Sequence, residues 1–230
     1  MVTESADWDS FLTEFTLLHK SGEHVSIIGP TGQGKTTLAR ELLKARALNR
    51  EAYVVVIVTK KKDDNLKAWG WPIVKAWPPG YGQNQVLLWP PYGDDPEKAP
   101  ARQRRTIAPA MRQIFNDGAR VVYLDEVWYL DKKMKLGEMV DQFLTQGRSM
   151  ELTVVAGTQR PVNVPRTVFS EPSWLFFFKT RDVDELRRVG EIGGGSDTAQ
   201  VRTEITKLKK YEFLCVRKDT GEMVKSKVKR

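Results

Sequence analysis

Eight residues near the N-terminus bring glycines, a lysine and a threonine together at a fixed spacing. Residues 29–36 read Gly-Pro-Thr-Gly-Gln-Gly-Lys-Thr, which matches the pattern G-x-x-x-x-G-K-[ST]. Glycines let the backbone fold tightly, so that consecutive N–H groups can point at phosphate oxygens. Lys35 can reach the β- and γ-phosphates, and the Thr36 hydroxyl can bind Mg²⁺. The predicted phosphate-binding loop consists of Gly29, Pro30, Thr31, Gly32, Gln33, Gly34, Lys35, Thr36 and Thr37.

The elements on either side of this loop can position it against an anion. His24–Gly29 is an apolar run typical of a short buried strand, and Lys35–Leu48 carries Leu38, Leu42 and Leu43 at helical spacing. A helix presents the positive end of its dipole at its N-terminus, which here adjoins the loop. This context favours a nucleotide site, with ATP as the ligand, over a glycine-rich turn that binds nothing.

Two consecutive carboxylates follow a second apolar run. Arg120–Asp125 predicts a strand, and Asp125 and Glu126 stand at its end, which is the Walker B position of P-loop proteins. Asp125 would hold Mg²⁺ directly or through water, and Glu126 would polarise the attacking water as a general base. A carboxylate directly after the metal-binding one favours hydrolysis over binding alone. The alternative is a strand that ends in an exposed acidic turn.

The segment Gly147–Pro161 resembles a block of the FtsK/HerA superfamily of DNA-pumping ATPases. It reads Gly-Arg-Ser-Met-Glu-Leu-Thr-Val-Val-Ala-Gly-Thr-Gln-Arg-Pro, and the family carries a Gly-Arg-small stretch, an apolar strand and then Thr-Gln-Arg-Pro. Trp174–Gly195, an aromatic strand followed by charged residues and consecutive glycines, is similar to the family's next block. Together with the loop and the acidic pair, four blocks occur in the family's order between Val25 and Val216.

The resemblance implies roles for three further residues. Gln159 would sense the γ-phosphate at the end of the strand beside the acidic-pair strand, the alternative being a loop glutamine in contact with water. An arginine from a neighbouring subunit would stabilise charge on the transferring phosphoryl group. Arg148 is the first candidate for this finger and Arg160 the second. For each, an ordinary surface arginine is the alternative.

The resemblance also implies a quaternary structure and partners. The family forms homo-oligomeric rings, usually hexamers, with double-stranded DNA in the channel. For this chain we expect a hexamer, with a pentamer as the alternative. This chain most resembles the compact viral members of the family, which package double-stranded DNA into a capsid. A capsid portal or vertex protein is therefore an expected partner. A conjugative or plasmid DNA-transfer ATPase remains open, as does a nucleotide-gated assembly factor with little turnover.

The charge of the chain agrees with an anionic partner. The formal net charge is +8 and the pI about 9.5, with a surplus of +6 in residues 202–230, whose alternative reading is a frayed, solvated tail. Basic clusters on loops can grip DNA phosphates without reading sequence, although solvated surface charge is the alternative for each. The predicted DNA contacts are Lys60, Lys61, Lys62, Lys132, Lys133 and Lys135, with Arg102, Arg104 and Arg105 as a weaker third cluster.

The whole pattern predicts an α/β fold of the RecA-like (ASCE) P-loop NTPase type, with a mainly parallel central sheet and helices on both faces. Tyr211–Val216 and Met223–Val228 predict a C-terminal β-hairpin, residues 60–100 an irregular region, and Pro109 a kink or break in a helix over 102–117. We expect one domain over residues 1–230, with an N-terminal extension over 1–20 and a basic C-terminal element over 202–230.

The remaining composition excludes several classes of protein. One cysteine, Cys215, cannot form an internal disulfide, and two histidines leave little for a zinc site. No apolar stretch reaches the length that crosses a bilayer, and residues 1–10 are too acidic for a secretory signal. We therefore expect no membrane segment and a cytoplasmic location, which for a viral protein means the host cytoplasm or the virion.

Overall fold

A computed structural model describes residues 3–49, 52–193 and 197–229, so residues 194 and 195 of the Trp174–Gly195 block lie outside these ranges. Its strands are β1 Thr3–Ser5, β2 Val25–Ile28, β3 Tyr53–Ile57, β4 Ile73–Val74, β5 Gln85–Leu88, β6 Arg120–Leu124, β7 Thr153–Thr158, β8 Trp174–Phe178, β9 Glu212–Arg217 and β10 Met223–Lys227. Its α-helices are α1 Trp8–Leu18, α2 Lys35–Asn49, α3 Asp64–Lys67, α4 Ala99–Asp117, α5 Gly137–Gln146, α6 Thr167–Ser170, α7 Val183–Arg188 and α8 Thr198–Lys207.

All of these strands belong to one sheet, in the order β1-β10-β9-β8-β2-β7-β6-β3-β5-β4. The strands from β8 to β4 are parallel, and β9 runs antiparallel to both β8 and β10. One strand, β7, lies between the strand that precedes the phosphate loop, β2, and the acidic-pair strand, β6. The predicted RecA-like arrangement and its mainly parallel sheet are confirmed.

Helices cover both faces of the sheet. Because successive side chains of a strand point to opposite faces, Val54 and Val56 of β3 pack in an apolar cluster with α1, α2 and α3. Val55 and Ile57 of the same strand pack in a second cluster with α4, α5, α6 and α8. The continuous β-branched run of β3 is thus buried on both sides. No helix in the described ranges is long and apolar enough to span a membrane.

Helix α4 shows where local propensity was misleading. Of the predicted kink or break at Pro109, the break is wrong, because the helix runs without interruption from Ala99 to Asp117, and the kink stays a prediction. A proline removes only one helical hydrogen bond, and Ile107 and Met111, on either side of it, are fully buried against the sheet. Gly118 ends the helix with φ +63°, and a Cβ there would meet the Met150 carbonyl oxygen.

The two ends of the chain meet in the sheet. The predicted C-terminal hairpin is confirmed as the antiparallel pair β9–β10, so the reading of this segment as a frayed tail is wrong. The predicted N-terminal extension is also part of the fold, since β1 pairs with β10 and α1 buries Phe11 and Phe15. Cys215 is buried in β9, and this burial raises the pKa of its thiol well above the usual value, as expected for an inert cysteine.

Candidate nucleotide site

The predicted phosphate loop connects β2 to α2. Gly29 and Gly34 have φ values of +152° and +107°, which favour glycine. A Cβ at Gly29 would lie 2.6 Å from the Cβ of Phe178 in the neighbouring strand. The loop borders a cleft of about 570 Å³ whose walls are Thr31, Gly32, Gly34, Lys35, Thr36, Thr37, Lys60, Asp63, Asn65, Tyr123, Asp125, Gln159, Tyr211 and Val228. This cleft is large enough for a mononucleotide.

Lys35 is nearly withdrawn from solvent at the start of α2. Its Nζ donates to the Pro30 carbonyl oxygen at 2.7 Å. Burial lowers the pKa of Lys35 to about 8, and the neighbouring Lys60 adds to this effect while Glu126 opposes it. A desolvated ammonium group beside helix N–H groups gains strongly from a phosphate, so the electrostatics of the loop suit an anionic ligand.

Asp125 follows β6 and is fully buried at the floor of the cleft. The Tyr123 hydroxyl donates to its Oδ1 at 3.3 Å, and the Lys60 Nζ lies 2.8 Å from its Oδ2. Burial raises the pKa of Asp125, and Lys60 opposes this shift. The described residues contain no group of three or more histidine, cysteine, aspartate or glutamate side chains that could cage a metal. A hydroxyl from Thr36 and one carboxylate, supplemented by phosphate oxygens, are nevertheless the hard oxygen donors that Mg²⁺ takes in nucleotide sites.

Glu126 is held from the neighbouring strand β7. Its carboxylate accepts the Thr158 hydroxyl at 3.0 Å and the Gln159 backbone N–H at 3.1 Å. Burial raises the pKa of Glu126, whereas these two hydrogen bonds stabilise the charged form. The Thr158 hydroxyl in turn accepts the Arg160 N–H at 3.1 Å. Glu126 therefore has a fixed orientation beside the carboxyl end of β7.

Gln159 connects this carboxylate to the phosphate loop. Its side-chain Oε1 accepts a hydrogen bond from the Thr31 hydroxyl at 2.5 Å, while its backbone binds Glu126. It also lines the cleft, at the carboxyl end of β7 between β2 and β6. The structure thus brings Gln159 together with the loop and the acidic pair, and the alternative of a glutamine that contacts water alone does not describe its position.

The two candidate finger arginines lie at opposite ends of β7. Arg160 is exposed just after the strand, with its guanidinium 4.5 Å from the centroid of the Trp128 ring. Arg148 precedes the strand, where it is exposed beside Gly22. Because six residues of β7 span about 20 Å, Arg148 cannot reach the phosphate loop of its own chain. The role of each arginine remains a prediction.

The predicted lysine clusters differ in their surroundings. Lys60 points into the cleft toward Asp125, whereas Lys61 and Lys62 are exposed. The prediction of Lys60, Lys61 and Lys62 as one cluster is therefore wrong for Lys60, whose side chain does not lie on the same surface as the other two. The second cluster is exposed on and after a π-helical turn, Tyr129–Lys133, and consists of Lys132, Lys133 and Lys135. DNA contact by any of these lysines remains a prediction.

Some residues of the site had no sequence prediction. Tyr123 stands two positions before Asp125, so the period of a strand places both on one face, and this signal could have been read. Thr158 directly precedes Gln159, but nothing local indicates that its hydroxyl binds Glu126. Asp63 and Tyr211 come from elements distant in sequence, and only the sheet order brings them to the cleft.

No family model and no curated protein match the chain. Among solved structures, the genome packaging NTPase B204 from Sulfolobus turreted icosahedral virus 2 is similar at 17% identity and a TM-score of 0.67, over 90% of this chain and 97% of that chain. VirB4 of Thermoanaerobacter pseudethanolicus is similar at 9% identity and 0.68, over 90% and 89%. The pCW3 conjugation coupling protein TcpA is similar at 14% identity and 0.52, over 90% and 59%. The chain has the fold of these proteins, in agreement with the FtsK/HerA resemblance of its motifs.

Proposed function

We propose that the chain is a Mg²⁺-dependent ATPase that moves double-stranded DNA as a homo-oligomeric ring. The observation that supports it best is the connection through Gln159, which hydrogen-bonds both the phosphate loop and Glu126. This link joins the phosphate loop to the carboxylate that would act on the attacking water. In this proposal the whole chain, residues 1–230, works as one ATPase domain.

The residues around the cleft divide the work of binding. Lys35 and the loop N–H groups hold the β- and γ-phosphates, and Thr36 and Asp125 hold the metal. Mg²⁺, when bound, supplies positive charge to the phosphate oxygens. B204 has been solved in complex with AMPPCP and with ATP-gammaS, which supports ATP as the ligand of a chain with the same fold.

Hydrolysis then requires a water held opposite the leaving group. Glu126 orients this water and accepts its proton as the oxygen attacks the γ-phosphorus. The bond to the β–γ bridging oxygen breaks, and ADP leaves with the electron pair. An arginine of a neighbouring subunit stabilises the transferring phosphoryl group. Arg148 fits this role because it lies at the end of β7 that is far from the phosphate loop of its own chain, so that it can act only in trans. Gln159 reports the loss of the γ-phosphate to Glu126 and to the loop.

Double-stranded DNA is assigned as the molecule that is moved on the basis of surface charge and of similarity to solved structures. The exposed lysines at 61, 62, 132, 133 and 135 would contact DNA phosphates. A DNA-packaging ATPase of Sulfolobus turreted icosahedral virus shares this fold, which favours viral genome packaging at a capsid portal or vertex, in the host cytoplasm or the virion. The similarity to TcpA and VirB4 supports a second candidate, a DNA-transfer ATPase of a conjugation system.

ATP turnover with and without linear duplex DNA tests the proposal. We expect duplex DNA to stimulate phosphate release, and Glu126→Gln to reduce turnover by about 10²–10⁴-fold, the usual contribution of a general base. Glu138→Gln, which changes an exposed acid on α5, is the control and should leave turnover unchanged. An unaltered rate in Glu126→Gln, or no stimulation by DNA, would refute the motor function.

A further inference from the structure

Lys60 is fixed at the carboxyl end of β3, next to the acidic-pair strand. Ile57 of β3 pairs with Leu124 of β6, so the residues that follow these two strands lie side by side. The Lys60 carbonyl oxygen accepts the indole N–H of the buried Trp89 at 2.6 Å. This bond holds the backbone of Lys60 while the four-carbon side chain extends into the cleft.

The Lys60 ammonium group bridges two carboxylates. Its Nζ lies 2.8 Å from Asp125 Oδ2 and 2.8 Å from Asp63 Oδ2. Asp63 is itself fixed, because its other carboxylate oxygen caps α3 by accepting the Leu66 N–H at 3.1 Å. The side chain of Asp125 is 1% exposed and that of Asp63 is 12% exposed, so the ammonium group joins two shielded anions.

This contact occupies one oxygen of the carboxylate that would hold the metal. Asp125 Oδ1 accepts the Tyr123 hydroxyl, and Oδ2 is bound by Lys60. A divalent cation and an ammonium group repel each other at adjacent positions on one carboxylate, so metal binding through Oδ2 requires Lys60 to withdraw. The same cleft, which Lys60 and Lys35 both line, offers new partners for its charge in the phosphates that the loop would hold.

We propose that Lys60 is a tethered counter-ion of Asp125 that Mg²⁺ displaces and that then binds the terminal phosphate of the nucleotide. The inference rests on the proposed ATPase function and adds a residue to it. Lys60 is joined to Asp63 and α3 by a short loop. When Mg²⁺ displaces Lys60 and the γ-phosphate binds it, the segment 58–67 therefore moves with it.

Equilibrium binding of fluorescent ADP and ATPγS, in EDTA and across a Mg²⁺ titration, tests this role in the full chain. Lys60→Met keeps the length of the side chain and removes the charge. We expect the Mg²⁺ concentration at half-saturation, measured with ADP, to fall about tenfold in this variant. This corresponds to about 1.4 kcal/mol, because Lys60 no longer competes with Mg²⁺ for Asp125. We expect its preference for ATPγS over ADP in Mg²⁺ to fall by a similar factor, because only ATPγS offers a γ-phosphate to Lys60.

Two further variants make these shifts specific. Lys60→Arg retains a charge and should restore most of the ATPγS preference. Lys67→Met removes an exposed charge from the same segment and should behave as wild type. Wild-type Mg²⁺ dependence and nucleotide preference in Lys60→Met would overturn the inference while leaving the ATPase function intact. Failure of the wild-type chain to bind either nucleotide would overturn both.

A measurement on the wild-type protein decides the question if Lys60→Met does not fold. Amine acetylation followed by mass spectrometry reports the accessibility of each lysine. With ADP in EDTA, Lys60 should react slowly relative to Lys67, and with ADP and saturating Mg²⁺ its modification should rise several-fold while that of Lys67 stays constant. Equal modification of Lys60 in the two conditions would show that Mg²⁺ does not displace it.

Discussion

The hydrogen bond from Thr158 to Glu126 offers a sharp test of how the catalytic carboxylate is controlled. Thr158 is fully buried at the end of β7, and its hydroxyl donates to Glu126 at 3.0 Å. Thr158→Val keeps the shape of the side chain and removes this donor. The Gln159 N–H, at 3.1 Å, remains, so Glu126 keeps its place but loses one of the bonds that stabilise its charge.

The size of the effect follows from the charge on the acceptor. A hydrogen bond to a charged group contributes about 1.5–3 kcal/mol, and about 1.4 kcal/mol shifts a pKa by one unit. If the ionised base carries the chemistry, the fraction of ionised Glu126, and with it turnover, should fall by about 10- to 100-fold at a pH below the pKa of this carboxyl. Burial already raises the pKa of Glu126, and the Thr158 bond opposes this rise. The variant should therefore lose activity at a higher pH than wild type as the solution is made more acidic.

Steady-state phosphate release between pH 5 and 9 measures both effects, and fluorescent ATP binding at each pH separates chemistry from affinity. Thr158→Ser retains the hydroxyl and serves as the matched control, with turnover within about threefold of wild type. Thermal unfolding establishes that both variants are folded at the assay temperature. A Thr158→Val enzyme with the wild-type rate and the wild-type acidic limb would refute the assignment of Glu126 as an oriented base.

Three further predictions concern the ring, the loop and the core. Mixing Arg148→Ala subunits with Glu126→Gln subunits should restore part of the ATPase activity if Arg148 acts in trans; full activity of Arg148→Ala alone would exclude it as the finger. Gly29→Ala should lower the free energy of unfolding in urea by about 1–3 kcal/mol more than Gly32→Ala, because a methyl group at Gly29 would meet a side-chain carbon of β8 at 2.6 Å whereas one at Gly32 has no neighbour within 4 Å. Equal losses would contradict the close approach. Burial lowers the pKa of His24 to about 4, and its Nδ1 accepts an N–H of β7 at 3.1 Å, so the unfolded chain binds this proton first as the pH falls below about 6.5. Stability should therefore decrease between pH 6.5 and 4, by up to about 3 kcal/mol for this residue, and a urea titration series should show a flatter pH dependence in His24→Gln.

The parts of the fold that the sequence predicted are those with strong local signals. The apolar runs of β2 and β6 and the aromatic run of β8 identify buried strands, and the glycines of the phosphate loop mark the turn between β2 and α2. Where local and tertiary preferences compete, the sequence was misleading. Pro109 predicted a kink or break, but the helix is not broken, because the apolar face of α4 gains more from packing against the sheet than one missing hydrogen bond costs.

The residues of the site likewise fall into those that a local motif predicts and those that depend on the tertiary structure. Lys35, Asp125 and Glu126 were predictable because each stands at a fixed offset within a motif. The contacts of Lys60 and Thr158 were not, because they depend on which strands are neighbours: β3 beside β6 brings Lys60 to Asp125, and β6 beside β7 brings Thr158 to Glu126. Each of these cross-strand contacts joins an acid of the pair to a different neighbouring element. A change at the phosphates can therefore reach α3 through Asp125 and Lys60, and the end of β7 through Glu126 and Thr158. In the motor function proposed above, one acidic pair would thus have two separate outputs, one to α3 and one to the end of β7.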